Sequence, residues 1–307
     1  MSADGGRAAT PDDAERPRLS IVVLPHHATD DARTCCVRAL DAACASVPDC
    51  ERIVVEEDGT DGVAAALASA RGEIVWLLHG DAEVAPDAAT RLLAAFDANP
   101  WLGVAGAEIR APDGAPRWCG GTEPGLRWVA LVGLGVAALL GRVPGRRRVA
   151  SAAAGSGIEV DWVSGTALAL RRVVWLRVAT LDAGCRVRDH AADLCLRARA
   201  LGWQVMIVPG VRVTRHEGAV SAQPAERAQL WADLARLAVE HRGVAFARHA
   251  RRALLAGTVV RLAVRRGVVP LVGAARREAW RRESAALAAD VDALRRLDVA
   301  PGEHGAA

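Results

Sequence analysis

The sequence predicts an α/β fold built on a mostly parallel, doubly wound sheet, and three observations carry that reading. Short apolar runs rich in β-branched residues alternate with segments of helical period between residues 19 and 109. Several of these runs are apolar at consecutive positions, as expected of strands covered on both faces. The chain is 307 residues long and 51% apolar, enough for a large packed core and incompatible with wholesale disorder.

Leu19 to Leu24 (LSIVVL) is the first strand, with Pro25 at its exit. Ala32 to Ala45 follows as a helix on which Cys36, Leu40 and Cys44 fall at i, i+4 and i+8, so these cysteines read most simply as core residues. Ile53 to Glu56 is a second strand, Asp61 to Ala70 a short helix, and Glu73 to Leu78 (EIVWLL) a third strand. Strand and helix in this alternation make the βαβ rhythm of a parallel sheet. Pro86 to Ala98 is a helix with proline tolerated in its first turn, and Val104 to Ile109 is another strand. Residues 111 to 160 are rich in Gly, Pro and Arg and predict no clear order. Structure returns at Val160 to Leu170, then a helix from Arg172, a helix from about Asp189 to Leu201 and strands at Gln204 to Val208 and Val211 to Thr214. From Ala222 onward the pattern is only helical. The expected division is a disordered segment over 1 to 18, an α/β domain over 19 to 221, and an Arg-rich helical extension with a disordered tail over 222 to 307.

All 39 basic residues are Arg. The net charge is +3, yet residues 242 to 282 hold eleven Arg against the single acid Glu278, so that segment carries +10 and the rest of the chain −7. Such a segment suits an anionic inner membrane leaflet, or a solvated helix packed on the sheet or on a partner. No recognition motif or aromatic platform accompanies the charge, so nucleic acid is not an expected partner. Seven cysteines without a CxxC pair indicate neither a disulfide framework nor a zinc ribbon and fit a reducing cytoplasm. Met1 to Arg18 lacks the apolar run of a signal peptide. The longest uncharged apolar stretch, Trp128 to Gly141, is shorter than the roughly 20 residues of a membrane-spanning helix. The expected location is cytoplasmic, with peripheral attachment to the inner membrane face as an option.

In open parallel sheets ligands bind outside the carboxyl ends of the strands. Here those ends carry Pro25, His26 and His27, then Glu56, Glu57 and Asp58, then His79, Gly80 and Asp81. Acids and imidazoles on one rim suit a divalent cation with a phosphorylated ligand, because carboxylates hold the metal and the metal neutralises phosphate. A plainer reading is also open, in which such loops are merely polar and Asp81 or Asp61 caps a helix.

Four blocks together resemble the family 2 glycosyltransferases, in particular their rhamnosyltransferase-like branch: VVEEDGTDG (54 to 62), ARGEIVWLLHGDAEVAPDAATRLLAAF (70 to 96), VDWVSGTALALRR (160 to 172) and DLCLRARALGWQVMIVPGVRVTRHEG (193 to 218). The resemblance covers roughly residues 19 to 245. It implies the nucleotide-diphospho-sugar transferase (A-type glycosyltransferase) fold, with a nucleotide-diphosphate sugar as donor, a divalent metal (Mn or Mg) and a glycan, lipid or small-molecule acceptor. It places Glu56 at the nucleotide base, with Asp58 and His26 on the same rim, and Trp162, Ser164 and Gly165 in the loop lining the sugar and acceptor pocket. The metal motif falls on His79, Gly80 and Asp81, keeping only its last acid, and His216 follows the last strand, where the family's histidine reaches the metal or the diphosphate.

The chain departs from the family in four places. The exit of the first strand is Pro25, His26, His27. The metal motif has lost an acid. A helix, a strand and a loop normally found between the Gly62 and Ala70 positions are missing, which shortens the sheet by one edge strand and removes a wall of the nucleotide pocket. The catalytic acid falls on Ala191, which accepts no proton, a loss worth about 10²- to 10⁴-fold in rate. His190 is a candidate substitute, since Asp193 is its i+3 neighbour on a helix starting near Asp189 and a carboxylate can orient an imidazole. Equally, Asp189 is an N-cap, Asp193 a first-turn charge and His190 simply exposed. Two functions therefore stand: a transferase moving a sugar from a nucleotide diphosphate, or a catalytically inactive relative that binds a ligand or scaffolds a partner.

Overall fold

The computed structural model describes residues 16–24, 30–55, 60–123, 125–136, 146–147, 157–178, 187–216, 224–268 and 274–299. His26, Glu56 and Asp58 lie outside them. The strands are β1 (Leu19–Leu24), β2 (Cys50–Val54), β3 (Ile74–His79), β4 (Ala82–Val84), β5 (Leu102–Arg110), β6 (Gly120–Gly121), β7 (Arg146–Arg147), β8 (Ile158–Glu159), β9 (Trp162–Val163), β10 (Ala167–Arg171) and β11 (Gln204–Arg215). The helices are α1 (Asp30–Ala45), α2 (Thr60–Ser69), α3 (Ala88–Ala98), α4 (Leu126–Gly133), α5 (Arg172–Val178), α6 (Val187–Ala200), α7 (Pro224–Val268) and α8 (Ala274–Arg296). They divide into two units, Met1–Gly121 with Arg147–Gly218, and Thr122–Arg146 with Ala219–Ala307.

The first unit is built on a sheet of order β2-β1-β3-β10-β5-β11-β4, with β8 added to β11. β1 pairs parallel with β2 and β3, and β11 pairs parallel with β5. β10 runs antiparallel between β3 and β5, so β3 and β5 share one direction. Alternate side chains of the central strands feed two separate cores. Val22, Val75, Leu77, Leu168 and Leu170 pack with α2, α5 and α6 residues such as Leu67, Trp175 and Leu194. Leu19, Ile21, Trp76, Leu78 and Ala169 pack with α1 and α3 residues such as Leu40, Leu92 and Phe96. Helices thus cover both faces, as the unbroken apolar runs of β1 and β3 require. Cys36 is buried in the α1 core, and burial pushes its thiol up to about 11.

Two elements depart from the sequence reading. The run Val160 to Leu170 is broken at Ser164–Thr166 into β9 and β10, and β10 is antiparallel because it enters from β9 without a helical crossover. The strands expected at Gln204 to Val208 and Val211 to Thr214 are one strand, β11, whose register against β5 jumps between Ile207 and Arg212. Pro209 has no N–H for the ladder, and Gly210 takes a φ of 88° that other residues rarely adopt. Beyond this bulge β11 also pairs with β4, matching Val213 with Val84, Thr214 with Glu83 and Arg215 with Ala82.

Among the described residues β2 is bonded to β1 alone, so it is the sheet's edge. Glu51 fastens it: Oε2 accepts from the Ser20 hydroxyl (2.5 Å) and the Arg71 N–H (2.9 Å), and Oε1 from Arg71 Nε (3.0 Å). Burial of this carboxylate opposes its charge, but the Ser20 and Arg71 donors outweigh burial and hold it below the ordinary glutamate value. A folded-state value below the unfolded one means that the contribution is complete above pH 4.5 and is lost as pH falls through the folded value. Glu51→Gln is expected to destabilise by about 1 kcal/mol at neutral pH, with the gap to the parent closing in acid. Urea unfolding across that range checks it, and a gap independent of pH would refute it.

The second unit is helical. α7 is interrupted at Gly243, whose φ of 82° and ψ of 162° lie outside helical space, so it is two helices meeting at a kink. Beside the kink Arg242 pairs with Glu123 (3.2 Å) and stacks on Phe246. α4 meets α7 closely, since a Cβ on Gly133 would come within 2.9 Å of the Leu254 carbonyl. Leu262, Leu287 and Val291 form a small core between α7 and α8.

Candidate functional site

The site is assembled where β3, β4, β10 and β11 end or begin. Leu24 at the end of β1 accepts a backbone hydrogen bond from Gly80 (2.9 Å), and the His79 N–H donates to the Thr166 carbonyl (3.0 Å). The turn at Gly80 and Asp81 is therefore pinned from both neighbouring strands. Asp81 is 0% exposed. Its Oδ2 accepts from Arg215 Nε at 2.8 Å, while Oδ1 is buried with no hydrogen-bond partner. Buried carboxylate oxygens are normally satisfied, so an orphan of this kind marks a place prepared for a further donor or a cation.

Arg215 extends the network. Its Nη1 donates to the Thr166 hydroxyl (3.4 Å), and the Ser164 hydroxyl donates to the Thr166 hydroxyl (3.2 Å) while accepting from the Thr166 N–H (3.3 Å). The Ser164 N–H donates to the Cys119 carbonyl (2.9 Å), and Asp161 N–H to that of Gly121 (2.8 Å), so the β9 loop is anchored on β6. Gly120 permits this approach, because a Cβ there would lie 2.4 Å from the Trp162 carbonyl oxygen. His216 joins the cluster through its N–H, which donates to the Asp81 carbonyl (3.0 Å), and through Nε2, 2.5 Å from Glu83 Oε2.

The structure thus brings Asp81, His216 and Ser164, chosen from distant blocks of the sequence, into one neighbourhood. Trp162 and Gly165 lie in the same loop, Trp162 half-buried against the core. His79 is buried at the end of β3, its carbonyl 3.8 Å from Cys36 Sγ. Sequence reasoning missed Glu83, Thr166 and Arg215 as members of the site. Their signal was present as the acid two residues after Asp81 and the arginine immediately before His216, but only the pairing of β4 with β11 makes them neighbours.

The residues around Ala191 are organised by α6. Ala191, Leu194, Cys195 and Ala198 form its buried face at i, i+3, i+4 and i+7. The position matched to the family's catalytic acid therefore belongs to the packed core. Asp193 is buried, and both its oxygens accept from Arg197 Nε at 2.8 Å, one turn on. Asp189 and His190 are in the first turn of α6, and their side chains lie outside the described residues.

A family model described as "Glycosyltransferase like family 2" matches residues 12–232. With that span covering most of the chain, the protein belongs to the family 2 glycosyltransferases. An uncharacterised protein of Sinorhizobium fredii, y4gI, is 30% identical over 159 residues, which is 50% of this chain and 16% of that protein's length. Among solved structures, GalNAc-T7 with UDP, GalNAc and Mn2+ superposes with a TM-score of 0.51 at 12% identity, covering 74% of this chain and 48% of that one. The mannosyltransferase PcManGT of Pyrobaculum calidifontis, with GDP-Man and Mn2+, gives a TM-score of 0.49 at 14% identity over 93% of this chain and 88% of that one. The fold is that of the A-type glycosyltransferases.

Proposed function

We propose that the chain is a metal-dependent glycosyltransferase that takes its sugar from a nucleotide diphosphate. The observation that carries this is Asp81, a fully buried carboxylate at the carboxyl edge of the sheet with one oxygen on Arg215 and the other unpartnered. The fit to a divalent cation rests on that one oxygen. Asp81 would offer Oδ1, with His216, whose backbone N–H donates to the Asp81 carbonyl, as a further candidate ligand; His79, Asp81 and His216 do not by themselves bring three donor atoms together. A cation held there would supply charge neutralisation for the diphosphate. The Mn2+ and UDP of the GalNAc-T7 structure accord with this assignment.

The chain's own residues do the rest. Arg215 holds the Asp81 carboxylate in one orientation and adds positive charge beside the diphosphate. Glu83 holds the His216 ring. The anchored Trp162–Gly165 loop presents backbone and the Ser164 hydroxyl to the donor sugar and acceptor, and the family resemblance assigns Glu56, Asp58 and His26 to the nucleotide. Activation of the acceptor hydroxyl falls to His190, with Asp189 and Asp193 in the same first turns of α6. The acceptor is a glycan, lipid or small molecule.

Calorimetric titration with UDP, GDP and dTDP, each with and without Mn2+, tests the reading. Mn2+-dependent binding of at least one is expected, and no binding to any would overturn it. Donor turnover, measured as hydrolysis or transfer, then separates an enzyme from a binding relative.

A second surface supports peripheral attachment to the inner membrane face from the cytoplasm. Among the described residues no helix is long and apolar enough to cross a membrane. On α7, however, Val260, Val264 and Val268 form an exposed stripe at i, i+4 and i+8, with Val264 60% exposed and Arg261 flanking it. The chain is expected to float with anionic vesicles and not with neutral ones, and Val264→Asp to weaken flotation. Equal binding to both vesicle types would refute the assignment.

A further inference from the structure

The end of α1 and the start of β2 are joined by a tight turn. Val47 N–H donates to the Cys44 carbonyl (2.9 Å), the Ser46 hydroxyl to that of Ala43 (2.7 Å), and Asp49 takes a left-handed φ of 57°. Aspartate tolerates that conformation better than most residues. The turn folds the chain back so that Cys44 Sγ and Cys50 Sγ, six residues apart, lie 2.8 Å from each other. Both are half-buried and so within reach of a small reagent, whereas Cys36, Cys119 and Cys195 are buried. The thiols also differ chemically. Either sulfur can donate in this contact, which, helped by nearby Arg52, lowers the Cys44 thiol, while the contact and burial raise that of Cys50. That is the asymmetry of an attacking and a resolving cysteine.

We propose that Cys44 and Cys50 form a reversible disulfide, a redox modification site that closes the α1–β2 turn at the open edge of the sheet. The oxidant is a low-molecular-weight disulfide. The Cys44 thiolate attacks one of its sulfurs, breaking that S–S bond and releasing one small thiol, which takes up a proton. Cys50 then loses its proton, attacks Cys44 Sγ and expels the second small thiol. The protein loses two hydrogens, and the small disulfide is reduced to two thiols.

The consequence lies in β2, whose partner among the described residues is β1 alone and which precedes in sequence the segment of Glu56 and Asp58 assigned to the nucleotide. Oxidation fixes the amino end of that strand to α1. It leaves Asp81, Arg215 and His216 untouched.

Tryptic mapping of the full chain tests this directly. Cleavage after Arg38 and Arg52 gives the peptide Ala39–Arg52, which contains Cys44 and Cys50 and no other cysteine, whereas Cys35 and Cys36 fall in Thr34–Arg38. After treatment with oxidised glutathione and blocking of free thiols, Ala39–Arg52 is expected about 2 Da lighter and unblocked, and dithiothreitol restores both thiols. Cys50→Ser is expected to stop at a glutathione adduct on Cys44, and Cys44→Ser to abolish the light peptide. Glutathione adducts alone on the parent chain, or a crosslink from Cys44 to Thr34–Arg38, would overturn the proposal.

Discussion

Asp81→Asn is expected to abolish Mn2+-dependent nucleotide binding, weakening it by at least about 100-fold, or roughly 2.7 kcal/mol. The amide keeps an oxygen for Arg215 but removes the negative charge that a hard cation requires. The competing explanation is that Asp81 serves only to neutralise Arg215. Arg215→Met separates the two. It strands a fully buried carboxylate, a loss of about 3–5 kcal/mol when one member of a buried pair is removed. If Asp81 is a cation ligand, Mn2+ replaces the missing guanidinium charge and raises the melting temperature of Arg215→Met by more than that of the parent, while Asp81→Asn shows no Mn2+ response. Calorimetry and thermal unfolding with and without Mn2+ decide it. Undiminished binding by Asp81→Asn would remove the central support for the transferase reading.

The second large effect is structural and lies at Arg171, the last residue of β10. Its guanidinium donates to the carbonyls of Phe96 (2.6 Å), Asn99 (3.2 Å) and Leu102 (2.9 Å), approaches Glu73 (3.4 Å) and sits over the Phe96 ring. One side chain thus satisfies the carboxyl end of α3 and the start of β5, where helix carbonyls lack partners and a cation is favoured. Burial lowers the affinity of this guanidinium for its proton without discharging it. Arg171→Met is expected to cost about 3 kcal/mol, because several buried carbonyls lose their donor together. Arg171→Lys should recover only part, since an ammonium lacks the planar fork. Urea unfolding with an unchanged denaturant slope measures this, and a loss of less than about 1 kcal/mol would show that water replaces the guanidinium.

The strands most legible in the sequence are those whose environment is uniform. β1 and β3 are buried along their whole length, so the requirement on each residue is the same and the run is visible without knowing its neighbours. The helices α1 and α3 are legible for a related reason, because one face meets the core and the period follows. β4 was invisible. It has three residues, too few for a pattern, and exists because the far half of β11 pairs with it. The antiparallel course of β10 was hidden as well, since a strand's local preferences are the same in either direction. Asp81, Ser164 and His216 could be chosen from their places in recognisable blocks, while Arg215, Thr166 and Glu83 could not. A polar residue at a strand end gains meaning only from what lies across from it.

The sequence by itself determined the α/β class, the two-sided core and the family, because these follow from the spacing of apolar residues and from four motif blocks in order. Tertiary structure decided which polar groups meet. The bulge at Pro209 and Gly210 redirects β11 onto β4 and sets Arg215 against the buried Asp81, and the same folding consigns Ala191 to the core. Apolar burial is nearly independent of partner identity and can be read along the chain. A hydrogen bond or ion pair depends on distances of about 3 Å between residues far apart in sequence, which only the folded backbone fixes.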